Sequence, residues 1–297
     1  MSDYIRYIDF ASIKLADLAV ELGDYACALE FYNKAFDRLY QYQGDRMHPI
    51  MMAGSLKETI AETERKIKKG KSVLFSESWK LTKSSFVKGS QCIKSIYLDR
   101  HKPNEKNPIS QETQEVFNQG HTFENHVREL AFPGGINVKD KVGNFKYFNS
   151  YTNVLLQDEK TKIIYEATII EDSVLVMCDI CVKREDGTID FYEIKLNKTV
   201  NDAIKSDLAI QYTICKKRFG DRLNTFNLIM RVDNENKPYQ IIDLTSELAM
   251  KTKEIEDDIH KFKSVLDAQE PTIAMSNHCL KPYECNFTNY CRALKDT

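Results

Sequence analysis

The sequence has few chain breakers and almost no net charge. Only 7 Pro and 11 Gly occur in 297 residues, too few for a linker-rich or collagen-like chain. With 42% hydrophobic and 29% charged residues, the composition is that of an ordered chain long enough to bury at least one sizeable core. The 42 Lys+Arg against 44 Asp+Glu leave a formal charge of -2, which excludes a histone-like polycation and an acidic solvating tail. No window approaches the roughly 18 consecutive apolar residues of a membrane span. The opening Met1-Ser2-Asp3-Tyr4-Ile5-Arg6 lacks the basic and apolar regions of a secretory signal. A cytoplasmic protein with no membrane partner is expected. Thiols stay reduced there, so the 8 cysteines read as candidate metal ligands rather than as a disulfide framework.

What the chain does have begins with helical periodicity. Tyr25, Ala28, Leu29, Tyr32, Ala35, Phe36 and Leu39 recur at the three-and-four spacing of one buried helical face. Asp9 to Leu22 reads as a preceding helix, Gly23-Asp24 as the break, and Met51 to Lys69 as a third helix. A small all-α bundle over residues 1–72 follows, with a second domain over 73–297. Gly23, Asp24, Tyr25, Ala28, Tyr32 and Ala35 lie in a run that resembles one tetratricopeptide unit, and also the microtubule-interacting-and-trafficking three-helix module. Either resemblance implies a docking surface for a protein partner, while the lack of a second copy leaves a plain packing bundle open.

Between Arg65 and Lys106 twelve Lys/Arg stand against Glu77, Asp99 and Glu105, a stretch suited to a phosphate backbone or to a solvated face. Beyond it the pattern predicts a helix from about Gln111 to Ala131, closed by Pro133-Gly134-Gly135. Strands follow near Ile163 to Ile170, Ser173 to Lys183 and Ile189 to Leu196, then a helix from Asn201 to Phe219 stopped by Gly220. Another strand over Thr225 to Val232 and a helix from Ser246 to about Leu266 complete an α/β order.

This order carries Glu124, Asp179, Glu193-Ile194-Lys195 and Gln211-Tyr212. In phosphodiester hydrolysis two carboxylates and a main-chain carbonyl hold Mg²⁺ or Mn²⁺, which polarises the phosphate and activates water. On a strand Glu193 and Lys195 point to the same face, placing a carboxylate beside a cation that orients water or offsets developing charge, with the Ile194 carbonyl available to the metal. The hairpin turn decides whether Asp179 joins them. A two-residue Asp186-Gly187 turn sets Asp179 opposite Ile194, on the wrong face, whereas a three-residue Glu185-Asp186-Gly187 loop sets it opposite Glu193. On the flanking helices, Phe117, Gly120, Glu124, Val127 and Ala131 share one face, with Gly120 allowing close approach, and Ile204, Leu208, Gln211 and Cys215 share another. A carboxylate and an amide in apolar stripes need partners, and metal ligands at a sheet edge would supply them.

Cys279, Cys285 and Cys291 recur near the end of the chain with five residues between successive cysteines. That spacing is wide for a structural zinc loop and suits a [4Fe-4S] cluster, which takes four thiolates. Cys178 and Cys181 face opposite ways on a strand and Cys215 lies on a core helix face, so Cys92 is the best candidate for a fourth ligand, with His278 the zinc-compatible competitor.

At these residues the chain resembles the RecB-like branch of the PD-(D/E)XK nucleases that carry an iron-sulfur cluster, similar to the nucleases of CRISPR adaptation and of bacterial recombination helicase-nuclease complexes. The stretches are Gln91-Cys92-Ile93-Lys94 on to Pro103, Gly120-His121-Thr122-Phe123-Glu124, Phe132-Pro133-Gly134-Gly135, Ile164-Tyr165-Glu166-Ala167, Cys178-Asp179-Ile180, Tyr192-Glu193-Ile194-Lys195, Asp207-Leu208-Ala209-Ile210-Gln211-Tyr212 and the terminal cysteine motif. The resemblance spans residues 80 to 297. It implies a restriction-endonuclease-like core, a mixed sheet flanked by helices, that hydrolyses DNA. It implies metal binding by Glu124, Asp179 and Glu193, catalysis by Lys195, an assisting role for Gln211, and a structural [4Fe-4S] cluster on Cys92, Cys279, Cys285 and Cys291. Many relatives carry histidine where this chain has Glu124, and His121 and His126 lie close by. Glu166 matches the family, without a role that its position reveals. The alternative reading is a non-catalytic nucleic-acid-binding or scaffold protein that keeps the fold.

Overall fold

A computed structural model describes residues 4–68, 78–142, 145–234, 237–281 and 283–294. The expected boundary at 72/73, the basic residues Lys69 and Lys71, and Pro282 of the cysteine motif lie outside the described residues. In chain order the elements are α1 (Phe10–Glu21), α2 (Tyr25–Tyr40), α3 (Met47–Lys68), β1 (Leu81–Thr82), α4 (Lys83–Gln91), α5 (Ile93–His101), α6 (Gln111–Ala131), β2 (Ile136–Asn137), α7 (Val138–Val142) and α8 (Phe148–Gln157). They continue with β3 (Ile163–Glu171), β4 (Val174–Lys183), β5 (Ile189–Lys195), α9 (Asp202–Phe219), β6 (Leu223–Arg231), β7 (Tyr239–Asp243), α10 (Thr245–Ala249), α11 (Thr252–Leu266) and α12 (Thr288–Ala293). The chain forms two compact units. One joins the N-terminal helices to residues 136–164; the other comprises residues 78–135 and 165 onward.

In the first unit, α1 and α2 start where an aspartate caps them. Asp9 accepts the Ser12 N–H and Asp24 the Cys27 N–H, each at 3.0 Å, which satisfies a donor the helix itself leaves open. The buried side of α2 is Cys27, Ala28, Phe31, Tyr32, Ala35 and Leu39. Tyr25, Leu29 and Phe36 of the expected face are only half-buried, because α2 packs between α1 and α3 and its apolar stripe is turned towards Phe31. Phe31 meets the Tyr147 ring at 4.6 Å, so the 136–164 segment shares this core.

The second unit is mixed α/β. Its sheet runs β3-β4-β5-β6-β7, with β1 alongside the start of β4. The β4–β5 and β6–β7 pairs are antiparallel and β5–β6 is parallel, so the crossover between β5 and β6 must pass through a helix, α9. Helix α9 begins at Asn201, whose side chain accepts the Ile204 N–H, has Asp202 in its first turn and Lys216, Lys217 and Arg218 in its last, and stops at Gly220. It packs on β4 and β6, with α4 and α11 against it, while α6 reaches β5. The helix expected over 246–266 is two helices, α10 and α11, and β7 was not expected. Among the described residues no helix is long and apolar enough to cross a membrane.

Candidate active site

The hairpin adopts the three-residue loop. Arg184 donates its N–H to the Thr188 carbonyl at 2.9 Å, Gly187 donates back to Arg184 at 3.1 Å, and Gly187 has φ +83°, a left-handed conformation that suits a residue without Cβ. Asp186 stiffens the loop by accepting the Thr188 N–H at 2.9 Å and its hydroxyl at 2.7 Å. The ladder pairs Lys183 with Ile189 through Ile180 with Tyr192, and one further step sets Asp179 opposite Glu193. Asp179 Oδ2 accepts the Ile194 N–H at 2.6 Å, so the side chain turns back on the strand that carries Glu193 and Lys195.

Glu193 is 1% exposed and is held by two lysines. Oε1 accepts from Lys195 Nζ at 2.8 Å and from Lys83 Nζ at 2.9 Å. Both lysines also reach Asp207, Lys83 at 3.6 Å and Lys195 by a direct hydrogen bond. Burial alone would push the Glu193 carboxyl up, but Lys195 and Lys83 hold it at about 2. Burial also works against the charge on Lys195, yet Glu193, Asp207 and Asp179 keep its ammonium protonated well above the usual lysine range. Asp179 goes the other way: burial, then the charges of Glu193 and Glu124, raise it well above the usual carboxylate range. Two carboxyls side by side with opposite tendencies form a site that welcomes a further positive charge next to Asp179.

At this site two buried oxygens, Glu193 Oε2 and Gln211 Oε1, and the buried Arg128 Nε have no hydrogen-bond partner among the described residues. Gln211 is fully buried on α9, and its Nε2 donates to the Asp207 carbonyl at 3.3 Å. An unsatisfied buried acceptor costs about 1–3 kcal/mol, and a cation or its water would relieve it. The donor set therefore fits Mg²⁺ or Mn²⁺ chemically. Among the described residues, no three His, Cys, Asp or Glu side chains are already gathered as a metal-binding group.

Glu124 has company that sequence reading missed. Buried Arg128, one turn along α6, bonds Glu124, Glu166 Oε1 at 3.0 Å and the Asp179 carbonyl at 3.2 Å. Glu166 holds this guanidinium from β3 with φ +56°, a strained backbone for a residue with Cβ. His121 Nδ1 lies 3.7 Å from Glu124 Oε2, and His126 is exposed. The apolar stripe expected around Glu124 is shorter than its spacing suggested: Phe117 is exposed, and nothing would lie within 4 Å of a Cβ at Gly120. No close approach at that position therefore needs the glycine. Arg128 and Asp207 stand at helical i+4 and i−4 positions from Glu124 and Gln211, a signal visible in the sequence. Lys83 gave none, because it lies far from Glu193 in the chain.

Most of the basic run is bound up in ion pairs. Lys80, Lys83, Lys88, Lys94, Lys102 and Lys106 each meet a carboxylate at 2.8–3.1 Å, among them Asp267, Asp99 and Glu270. These lysines tie the elements of the second unit together through ion pairs.

Cys92, Cys279, Cys285 and Cys291 line one small pocket, together with His278. Cys92 sits at the end of α4, and Gln91 beside it donates to the carbonyls of His278 at 2.6 Å and Tyr283 at 2.7 Å, seating the terminal loop on that helix. Burial pushes the Cys285 thiol up, and the neighbouring Cys92, Cys279 and Cys291 add to the effect. Burial likewise raises Cys291, with Cys279 and Cys92 adding to it, although Lys94 opposes. Four cysteines lining one pocket are the donor type of a soft metal centre, although among the described residues no three of them are already gathered as a metal-binding group. His278 Nδ1 lies 2.6 Å from Ser276 Oγ. The other cysteines are elsewhere: Cys178 and Cys215 touch in the core at 3.7 Å, Cys181 is buried, and Cys27 belongs to the first unit.

No family model and no curated protein matches this chain. Solved structures do match, among them one described as "Crystal structure of SSO0001", at 13% identity and a TM-score of 0.35, covering 77% of this chain and 94% of that one. That likeness is too distant to carry an argument about function.

Proposed function

We propose that the chain is a metal-dependent DNA nuclease of the PD-(D/E)XK type with a structural [4Fe-4S] cluster. The observation that carries this is the loop-set register that brings Asp179 beside Glu193, with Lys195 on the same face. Asp179, Glu193 and the Ile194 carbonyl would hold Mg²⁺ or Mn²⁺, with Glu124 at the margin; Gln211 lies beside this set. A bound divalent ion supplies Lewis-acid polarisation of the phosphate. Lys195 remains an ammonium beside Glu193 and Asp207, so it acts as a fixed positive charge and proton holder rather than as a general base. Arg128 and Glu166 set Glu124 and the Asp179 main chain. The N-terminal unit, with Phe10, Tyr40, Met47 and Met51 exposed, is assigned to docking a protein partner.

The test is incubation of the purified full chain with Mn²⁺ or Mg²⁺ and single- or double-stranded DNA. Cleavage should fall by about 100-fold or more in Lys195→Ala, the scale expected when one electrostatic group is lost. Intact DNA, or a variant that cuts like the wild type, overturns the reading. One observation favours the alternative of a non-catalytic nucleic-acid-binding protein: Glu124 is already engaged by Arg128.

A further inference from the structure

Lys83 is the first residue of α4, and its place is set from both sides. Before it, β1 pairs in parallel with the start of β4, Leu81 with Val174 and Thr82 with Leu175. After it, a capping box starts the helix: Thr82 Oγ1 accepts the Ser85 N–H at 3.1 Å and Ser85 Oγ accepts the Thr82 N–H at 2.8 Å. The lysine therefore leaves a fixed sheet-to-helix junction and reaches Glu193 Oε1 at 2.9 Å, the oxygen that Lys195 also holds at 2.8 Å. One lysine would suffice to pair one carboxylate. Two lysines on the same oxygen do something more, because they fix the rotation of the carboxylate and leave Oε2 buried without a partner.

We propose that Lys83 is a second, positioning lysine of the site: together with Lys195 it pins Oε1 of Glu193 so that Oε2 is the oxygen presented to a divalent ion. The assignment rests on the phosphodiesterase reading and deepens it. It has two consequences of opposite sign. Lys83 repels a divalent ion close to Glu193, so removing its charge strengthens ion binding. The same change frees the carboxylate to turn, so turnover falls even when the ion is saturating. A lysine that merely stabilised the fold would weaken both properties together.

The experiment measures Mn²⁺ affinity without DNA, by titration calorimetry, and DNA cleavage at saturating Mn²⁺, on full-length wild type, Lys83→Met, Lys83→Gln and Lys83→Arg. Lys83→Met is expected to bind Mn²⁺ about fivefold or more tightly, and to turn over about tenfold or more slowly. Lys83→Arg should recover most of the turnover. Lys83→Gln carries the same expectation as Lys83→Met and stands in for it if that variant does not fold. Affinity and turnover both within about twofold of wild type overturn the assignment, as does weaker Mn²⁺ binding accompanied by a lower melting temperature. If wild type cleaves and Lys195→Ala does not, a wild-type-like Lys83→Met overturns the role of Lys83 alone. If wild type cleaves no DNA, the nuclease reading falls and the Mn²⁺ titration still reads Lys83.

Discussion

Asp24 is fully buried, with Oδ1 capping α2 and Oδ2 without a close hydrogen bond among the described residues. Burial pushes its carboxyl up to about 6, against the pull of the Cys27 and Ala26 N–H groups. An acid whose folded pKa lies above its unfolded value stabilises the fold fully only below the unfolded value, and that contribution is lost as pH rises through about 6. Asn at this position keeps the cap and cannot ionise. Asp24→Asn should therefore raise the melting temperature at about pH 8 by an amount worth roughly 2 kcal/mol, with little gain or a small loss near pH 4. Melting curves of the two proteins that stay parallel across this range would show that Asp24 does not carry the effect. Glu193 and Lys195 were legible because strand spacing puts them on one face. Lys83 was not, because the contact that matters crosses from the start of α4 to β5.

Among the elements, α6 and α9 were read nearly to the residue because both carry caps and clear stop signals, Ser110 and Asn201 at their starts and Gly220 at the end of α9. The β4–β5 register was not legible on its own, because Asp186-Gly187 suits either a two-residue or a three-residue loop and only the metal-site reading favoured the second. Two-residue β1, edge strand β7 and the split between α10 and α11 were hidden, since none has enough length for periodicity to show. Helix α4 escaped for the same reason, and yet it joins the two candidate sites, with Lys83 at its first residue and Cys92 at its C-cap. Its far end is seated by Gln91, whose amide meets two carbonyls of the cysteine loop. Gln91→Ala removes no thiol and leaves both carbonyls without this donor. The loss should cost about 1–3 kcal/mol. It should also speed the release of iron to a chelator in an anaerobic preparation, and iron retained at the wild-type rate would argue that the loop is held without α4.

At the scale of the whole chain, the thiol pocket brackets the sheet, with Cys92 before β3 and the other three cysteines after β7. A cluster on these four thiols closes a loop of roughly 200 residues, and by chain entropy such a closure contributes on the order of 5 kcal/mol, as for a disulfide of that span. All four ligands lie in the second unit, although the closed loop also passes through residues 136–164 of the first, so the effect is largest in the second. Unfolding of a chain with two units need not be a single transition, and here the two should respond differently to metal loss. An anaerobic preparation is expected to absorb near ~400 nm and to contain iron. Cys92→Ser should lose both, and one calorimetric transition should drop by on the order of 10 °C, while the transition of the helical unit moves less. A colourless protein with stoichiometric zinc would instead assign the pocket to the late cysteines and His278, which lines it. If Cys92→Ser kept its iron and both transitions, Cys92 would be excluded as a ligand, and the chain closure that makes this pocket a staple would be lost with it.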